Sequence, residues 1–144
     1  MDRSKKIQLL LCVALLAAAA ACRAKDANTT ASTAGVRVTD VTLGRSVGGD
    51  KAITDRTDTF KPNDTIYASV ATDGAAPSAI LRAKWSFQDG QLVNESTRTI
   101  APASKERTEF HIAKPDGWPA GKYKLEVFLN DQSAETKSFD VSGS

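Results

Sequence analysis

Few side chains in this chain have the type and spacing for catalysis. His111 is the only histidine, and it alternates with Phe110 and Ile112, so we expect it to point to solvent. A Ser-His-Asp site needs only one histidine, but no Gly-x-Ser-x-Gly turn accompanies this one. The sequence therefore gives no support for nucleophilic catalysis.

Carboxylates are the remaining chemical groups. Acids lie in or beside a polar segment over residues 44–59, namely Asp50, Asp55, Asp58 and Asp64. Their oxygens are suitable calcium ligands, but their spacing matches no EF-hand loop, and solvated loop acids are the favoured interpretation. A zinc site is not expected with one histidine and Cys22 as the only cysteine after residue 21. We expect no metal or cofactor, and a hydrolase using Asp55 and Asp58 with Glu109 is the catalytic alternative.

The most specific pattern lies in the first 22 residues. Basic residues between positions 3 and 6 precede an uncharged run over residues 7–21, and Cys22 follows it. A basic start, a short apolar run and small residues at its end are the features of an export signal. The run has 15 residues, and a membrane-spanning helix needs about 20. The sequence thus predicts a signal peptide over residues 1–21.

The end of this segment, Ala18-Ala19-Ala20-Ala21-Cys22, resembles the lipobox of bacterial lipoproteins. The resemblance implies that Cys22 is acylated and becomes the mature N-terminus, which also removes a lone thiol from an oxidising compartment. Ala19 stands where leucine is commonest in that family, so cleavage after an Ala-x-Ala site remains an alternative. Because Arg23 is not the aspartate of inner-membrane lipoproteins, the resemblance implies an outer-membrane anchor facing the periplasm.

Charge argues against a nucleic-acid partner. The chain has 19 Lys and Arg against 17 Asp and Glu, and the signal peptide holds three of the basic residues and one of the acids. The remaining residues are therefore formally neutral, and they show no basic stripe interleaved with aromatics. Residues 22–35 have no large apolar side chain and are predicted to be a disordered tether. Residues 36–144 are long enough for one domain.

The elements that must position these groups are all predicted to be strands, because apolar and polar residues alternate in short segments separated by turn residues. The segments cover residues 36–43, 65–72, 80–87, 92–100, 108–112, 122–129 and a last strand ending at Val141. In the first segment the alternation changes phase at Asp40-Val41, which indicates a β-bulge. Asp89-Gly90 predicts a hairpin, and the polar segment after it is predicted to be an edge strand.

About seven strands in a chain of this length predict a two-sheet β-sandwich. Trp85 lies centrally in the third strand, and Tyr123 opens the penultimate strand directly after Gly121. These positions resemble the core tryptophan and the tyrosine corner of immunoglobulin-like domains. Both bridging cysteines are missing, so fibronectin-III-like and other bacterial immunoglobulin-like modules match equally well. The resemblance implies an all-β, single immunoglobulin-like antiparallel β-sandwich.

The stretch from Trp118 to Tyr123 also resembles a hairpin found in exported bacterial β-sandwich domains, and the stretch from Phe60 to Tyr67 resembles its counterpart at the second strand. We expect Trp118 to close one end of the sandwich, and stacking on a ligand is the alternative role for its ring.

The remaining candidates are surface residues. Phe128 is predicted to face away from the core, and an aromatic ring among cations is a candidate contact point. Its expected neighbours are Arg82, Lys84, Lys124 and Lys137. Tyr67 belongs to the other sheet and would mark a separate site. The candidate partner-binding residues are therefore Phe128, Arg82, Lys84, Tyr67 and Trp118.

An anchor without a catalytic set favours a non-enzymatic module of the cell envelope that binds a protein or a glycan. An accessory structural subunit, added to an envelope assembly through the edge strand at residues 92–100, is the second hypothesis.

Overall fold

A computed structural model describes residues 35–143 of the chain. Eight strands occupy this range, and no helix is found in it. The strands are β1 (Arg37–Gly44), β2 (Thr59–Phe60), β3 (Ile66–Asp73), β4 (Ala79–Phe87), β5 (Gln91–Ile100), β6 (Glu106–Ile112), β7 (Gly121–Leu129) and β8 (Gln132–Val141). The predicted signal peptide, Cys22 and the tether up to residue 34 lie outside the described residues. No helix capable of crossing a membrane is present between residues 35 and 143.

The strands form two sheets whose apolar faces pack against each other. One sheet has the order β1-β3-β6, and the other has the order β2-β8-β7-β4-β5. All strand pairs are antiparallel except β2 with β8. The predicted antiparallel β-sandwich is therefore confirmed, and the seven predicted strands are all present. The additional strand β2 has only two residues, too few for an alternation to show in the sequence.

The core is built from large aromatic side chains. Trp85 is fully buried, and its ring meets Phe139 edge to face at a centroid distance of 5.9 Å. Phe60 also meets the Phe139 ring edge to face, at a centroid distance of 5.5 Å. This geometry is the favoured one for aromatic pairs. The predicted core position of Trp85 is confirmed, and packing takes the place of the missing disulfide.

Strand details also follow the pattern of the sequence. The register of β1 shifts between Val38 and Asp40, so the predicted bulge is present within two residues of its expected place. The β4–β5 hairpin turns at Gly90, which has a φ of +108° and donates from its N–H to the carbonyl of Phe87 at 3.2 Å. Strand β5 lies at the edge of its sheet, as predicted from its polar composition.

The two ends of the sandwich differ in what they carry. At the first end, the backbone of Gly35 lies against Gly74 in the β3–β4 turn. The β7–β8 turn lies at this end as well, because Asn130 donates from its N–H to the carbonyl of Ile80 at 2.8 Å. The opposite end, which we call the far end, carries the β4–β5 hairpin and the turn over residues 113–120. The chain therefore enters the sandwich at the end that carries the β3–β4 and β7–β8 turns.

A long loop over residues 45–58 lies across the outer face of the three-stranded sheet. Val47 and Ile53 form an isolated antiparallel bridge within it. Asp50 and Lys51 at its tip line clefts together with residues of β3 and β6. Ser69, which alternates with the buried Ala68 and Val70 and so points toward this face, is only 3% exposed. The loop therefore shields part of this sheet from solvent.

Candidate interaction surfaces

The clearest candidate site is a contact between Arg82 and Phe128 on the outer face of the five-stranded sheet. These residues are direct partners in the pairing of β4 with β7. The guanidinium carbon of Arg82 lies 4.0 Å from the centroid of the Phe128 ring, within the range of a cation–π interaction. Arg82 also donates to Glu95 Oε2 at 3.0 Å and to Asp131 Oδ1 at 3.4 Å. The guanidinium is thus held over the ring by two carboxylates.

Two lysines extend this surface. Lys84 is paired with Glu126 in the sheet register, and Lys124 is paired with Ser86. Among residues 35–143, neither lysine has a carboxylate oxygen within 4.0 Å. Both amines are therefore available to a partner.

Lys137 does not join this surface, so that part of the expectation was wrong. It is paired with the core residue Leu125, and directly opposed residues of an antiparallel pair point to the same face. Its amine lies 3.0 Å from Glu135 Oε1. The sequence contains the reason, because Lys137 has the same alternation phase as the buried Phe139 and Val141.

The sequence analysis missed Ile80 as a member of the outer face. Ile80 precedes Arg82 by two residues on β4, and its side chain is on the same face as the guanidinium. It is 42% exposed, one of two large hydrophobic residues in the described range that are exposed. An apolar residue in the polar phase of the β4 alternation was the available signal. We call the surface formed by Ile80, Arg82, Lys84, Lys124 and Phe128 the outer patch.

Tyr67 lies on the other sheet, as predicted, and is paired with His111. The two rings are 5.4 Å apart, and His111 Nδ1 lies 2.6 Å from Glu109 Oε1. His111 is exposed, which confirms its predicted direction. These residues form a small cluster on the opposite side of the sandwich from the outer patch.

Trp118 closes the far end. It is 6% exposed, its indole N–H donates to the carbonyl of Asp64 at 3.0 Å, and its backbone N–H donates to Pro62 at 2.7 Å. Tyr123 completes the turn, because its hydroxyl donates to the carbonyl of Pro119 at 2.7 Å. This is the predicted tyrosine corner. Burial raises the pKa of the Tyr123 hydroxyl, since the phenolate would lose its hydration.

Two of the acids in or beside the loop, Asp55 and Asp64, form ion pairs with Arg45. Arg45 donates to Asp64 Oδ2 at 3.1 Å, to Asp55 Oδ2 at 3.3 Å and to the carbonyl of Thr59 at 3.1 Å. Hydrogen bonds to Asp55 and then to Asp64 raise the pKa of the guanidinium. The cation occupies the position between the two carboxylates. In the described range, no group of three or more His, Cys, Asp and Glu side chains is arranged to hold a metal ion.

The carboxylates of the catalytic alternative lie apart. The carbonyl of Asp58 accepts from the N–H of Asp140 at 2.9 Å, which places Asp58 beside β8 of the five-stranded sheet. Glu109 lies on β6 of the three-stranded sheet, where it contacts His111. With Asp55 bound to Arg45, the structure does not bring the three acids to one site.

Comparison with known proteins gives structural likeness only. No protein-family model matches the chain. No curated protein sequence matches it either. An immunoglobulin-like protein from Pseudomonas aeruginosa is 19% identical, with 76% of this chain and 98% of that chain covered and a TM-score of 0.53. A CARDB domain of Pyrococcus furiosus, solved in complex with di-metal ions, is 15% identical, with coverages of 85% and 100% and a TM-score of 0.42. The likeness to the Pseudomonas aeruginosa protein concerns the fold, and the chain contains an immunoglobulin-like β-sandwich.

Proposed function

We propose that this protein is a non-enzymatic interaction module of the bacterial cell envelope, tethered through an acylated Cys22, and that the outer patch is its contact surface for a protein or glycan partner. The observation that carries the proposal is the Arg82 guanidinium held over the half-buried ring of Phe128. Phenylalanine and arginine are both enriched in protein interfaces relative to the rest of the protein surface.

The charge arrangement supports a specific contact. Glu95 and Asp131 hold Arg82 in place before any partner arrives. A side chain that is already ordered loses less conformational entropy on binding. Ile80 adds exposed apolar surface beside it, and the two lysines of the outer patch supply a charged rim. An apolar centre with a polar rim is the usual anatomy of an interface.

The tether rests on the sequence. Residues 1–21 have the order of segments of an export signal, and the stretch that ends at Cys22 resembles a lipobox. The following polar residues would span on the order of 45 Å if fully extended. A domain attached in this way would remain within about that distance of the membrane. The proposed location is the periplasmic face of the outer membrane.

Crosslinking in intact cells, followed by affinity capture of the full-length protein and mass spectrometry, tests the proposal. Phe128→Ala should abolish capture of a partner that wild type retains. Tyr67→Ala is the matched control, because it removes an outward aromatic ring from the other sheet and should leave capture unchanged. Cys22→Ala, without the anchor, should reduce capture of a partner that is itself membrane-bound. If Phe128→Ala captures every partner of wild type, the outer patch is not the contact surface.

A further inference from the structure

The outer face of the five-stranded sheet balances positive against negative charge. Three cations of the outer patch are accompanied by three acids that lie among them or beside them, namely Arg82, Lys84 and Lys124 with Glu95, Glu126 and Asp131. The neighbouring pair of Lys122 with Asp140 is balanced as well. A face without net charge does not select a strongly acidic or a strongly basic partner. The arrangement of its charges therefore indicates the partner.

Two of these charges have no ion partner within the described range. Lys84 and Glu126 are directly opposed in the pairing of β4 with β7, and opposed residues project from the same side of a sheet. Among residues 35–143, neither side chain has an oppositely charged atom within 4.0 Å. Glu95, which opposes Lys84 on β5, is bound by Arg82 instead. Lys84 and Glu126 thus present opposite charges side by side on the surface.

The strand register makes this face complementary to itself. A twofold axis that runs along the strands, between β4 and β7, would place each residue of β4 opposite its own register partner on β7 of a second copy. Lys84 of each copy would then face Glu126 of the other, and Phe128 would face Arg82 of the other. Sheets packed face to face have their strands about 30° apart, and such an axis bisects this angle.

We infer that the outer patch binds a second copy of this protein in a twofold dimer, with Lys84 against Glu126 and Phe128 against Arg82. This inference rests on the proposed function, because it names the partner of the same surface. Lys124 fits the arrangement, since its register partner is Ser86. It would therefore lie opposite a small uncharged side chain and not opposite another lysine.

The two arginines near the axis carry their own compensating charge. Arg82 lies 3.0 Å from Glu95 and 3.4 Å from Asp131. Because each guanidinium brings two carboxylates with it, two copies can approach without an unbalanced pair of cations at the centre. The ring of Phe128 and the exposed side chain of Ile80 supply the apolar part of the contact.

The size of the face indicates a reversible contact. Strands β8, β7, β4 and β5 are adjacent and have nine or ten residues each. At the usual strand spacing they cover roughly 600 Å², whereas a stable interface buries about 800 Å² on each partner. The dimer is therefore expected to be weak in dilute solution. Attachment to one membrane through Cys22 would raise the local concentration of copies and favour it.

Charge reversal in intact cells tests the inference. Two full-length copies with different affinity tags would be produced together, crosslinked and captured through one tag, and the second tag would be quantified. Lys84→Glu in both copies, or Glu126→Lys in both copies, places like charges at both contacts and should lower co-capture by at least about fivefold. Lys105→Glu is the matched control, because it reverses an exposed lysine outside both sheets, and it should leave co-capture unchanged.

Combining the two reversals gives the most specific measurement. A copy with Lys84→Glu and a copy with Glu126→Lys have opposite charges at both contacts, so co-capture should return to at least about half of the wild-type amount. A variant that had failed to fold, or that had lost a different partner, would not be restored by mixing.

Two results would overturn the inference: wild type co-captures no more of the second copy than Lys84→Glu does, or the mixed reversals do no better than each alone. The capture experiment with Phe128→Ala separates this failure from failure of the proposed function. If wild type captures another protein that Phe128→Ala loses, but no second copy, the outer patch is a contact surface for a different partner. If Phe128→Ala retains every partner, including the second copy, both proposals are wrong.

Discussion

The hydroxyl of Tyr123 donates a 2.7 Å hydrogen bond to the carbonyl oxygen of Pro119, four residues earlier in the chain. The ring of Tyr123 is 3% exposed and stacks on Phe139 at a centroid distance of 5.3 Å. One side chain thereby links the turn at the far end to the aromatic core. Removing only its oxygen isolates the hydrogen bond, because the phenylalanine ring keeps the packing.

We expect Tyr123→Phe to lower the free energy of unfolding by about 1 to 2 kcal/mol, since the Pro119 carbonyl loses its donor. Urea denaturation followed by tryptophan fluorescence measures the change. Tyr67→Phe is the control, because its hydroxyl has no protein hydrogen-bond partner in the described range, and it should change stability by less than about 0.5 kcal/mol. Equal effects of the two substitutions would contradict the role assigned to Tyr123.

The same residue predicts a dependence of stability on alkaline pH. Burial raises the pKa of Tyr123 in the folded protein above the unfolded value of about 10. The stabilisation from this difference is fully present below the unfolded pKa and is lost as the pH rises through the folded pKa. Wild type should therefore lose stability above about pH 10 more steeply than Tyr123→Phe, measured by urea denaturation at each pH. An identical slope in both proteins would show that Tyr123 makes no contribution.

The sequence predicted the fold because alternation, turn residues and two aromatic positions are local features. It missed β2, because a two-residue strand that pairs with β8 depends on a contact 81 residues away, as between Thr59 and Asp140. A cleft of about 340 Å³ at the far end, between β5 and the turn over residues 113–119, was also missed. Its lining comes from separate stretches around Phe87, Leu92 and Trp118, and no one of these stretches has a distinctive pattern.

The outer face of the five-stranded sheet was only partly predictable, because the direction of a side chain is a local property and its neighbours on other strands are not. The outward direction of Arg82 and of Phe128 follows from two alternations that the sequence shows plainly. The distance between the guanidinium and the ring depends on the register between β4 and β7, which no local pattern defines. Leu92 was assigned to an edge strand without its exposure being recognised, because exposure depends on what the neighbouring strands leave uncovered.

Gly74 is predicted to be intolerant of any side chain. Its φ is +108°, and a Cβ atom at this position would lie 1.8 Å from the carbonyl oxygen of Gly35. Gly74→Ala should destabilise the protein by at least about 1 to 3 kcal/mol, because the turn must distort or separate from Gly35. Gly49→Ala is the control, since a Cβ there meets no atom within 4 Å. Thermal unfolding compares the two, and a neutral Gly74→Ala would contradict this account.

Arg45 is predicted to restrain the loop over residues 45–58. Its guanidinium donates to Asp55, Asp64 and the carbonyl of Thr59. These hydrogen bonds connect the loop to β2 of the five-stranded sheet. Arg45→Gln should raise amide hydrogen exchange in this loop by about tenfold, with little change in the core strands. Arg56→Gln is the control, because no carboxylate within residues 35–143 lies within 4.0 Å of Arg56. Unchanged exchange in Arg45→Gln would contradict the prediction.

The outer patch is predicted to be separable from folding. Phe110 is 1% exposed, and Phe110→Ala should cost about 3 to 5 kcal/mol of stability. Phe128 lies on the outer face, under Arg82, so Phe128→Ala should cost less than about 1.5 kcal/mol. A double-mutant cycle with Arg82→Gln should give a coupling energy of about 0.5 to 1 kcal/mol between the two side chains. Urea denaturation of the four proteins in the cycle measures this energy.

A coupling of zero would mean that the guanidinium is held by Glu95 and Asp131 alone. A loss near that of Phe110→Ala would mean that Phe128 belongs to the core, and a failed capture by Phe128→Ala would then report unfolding instead of a lost contact.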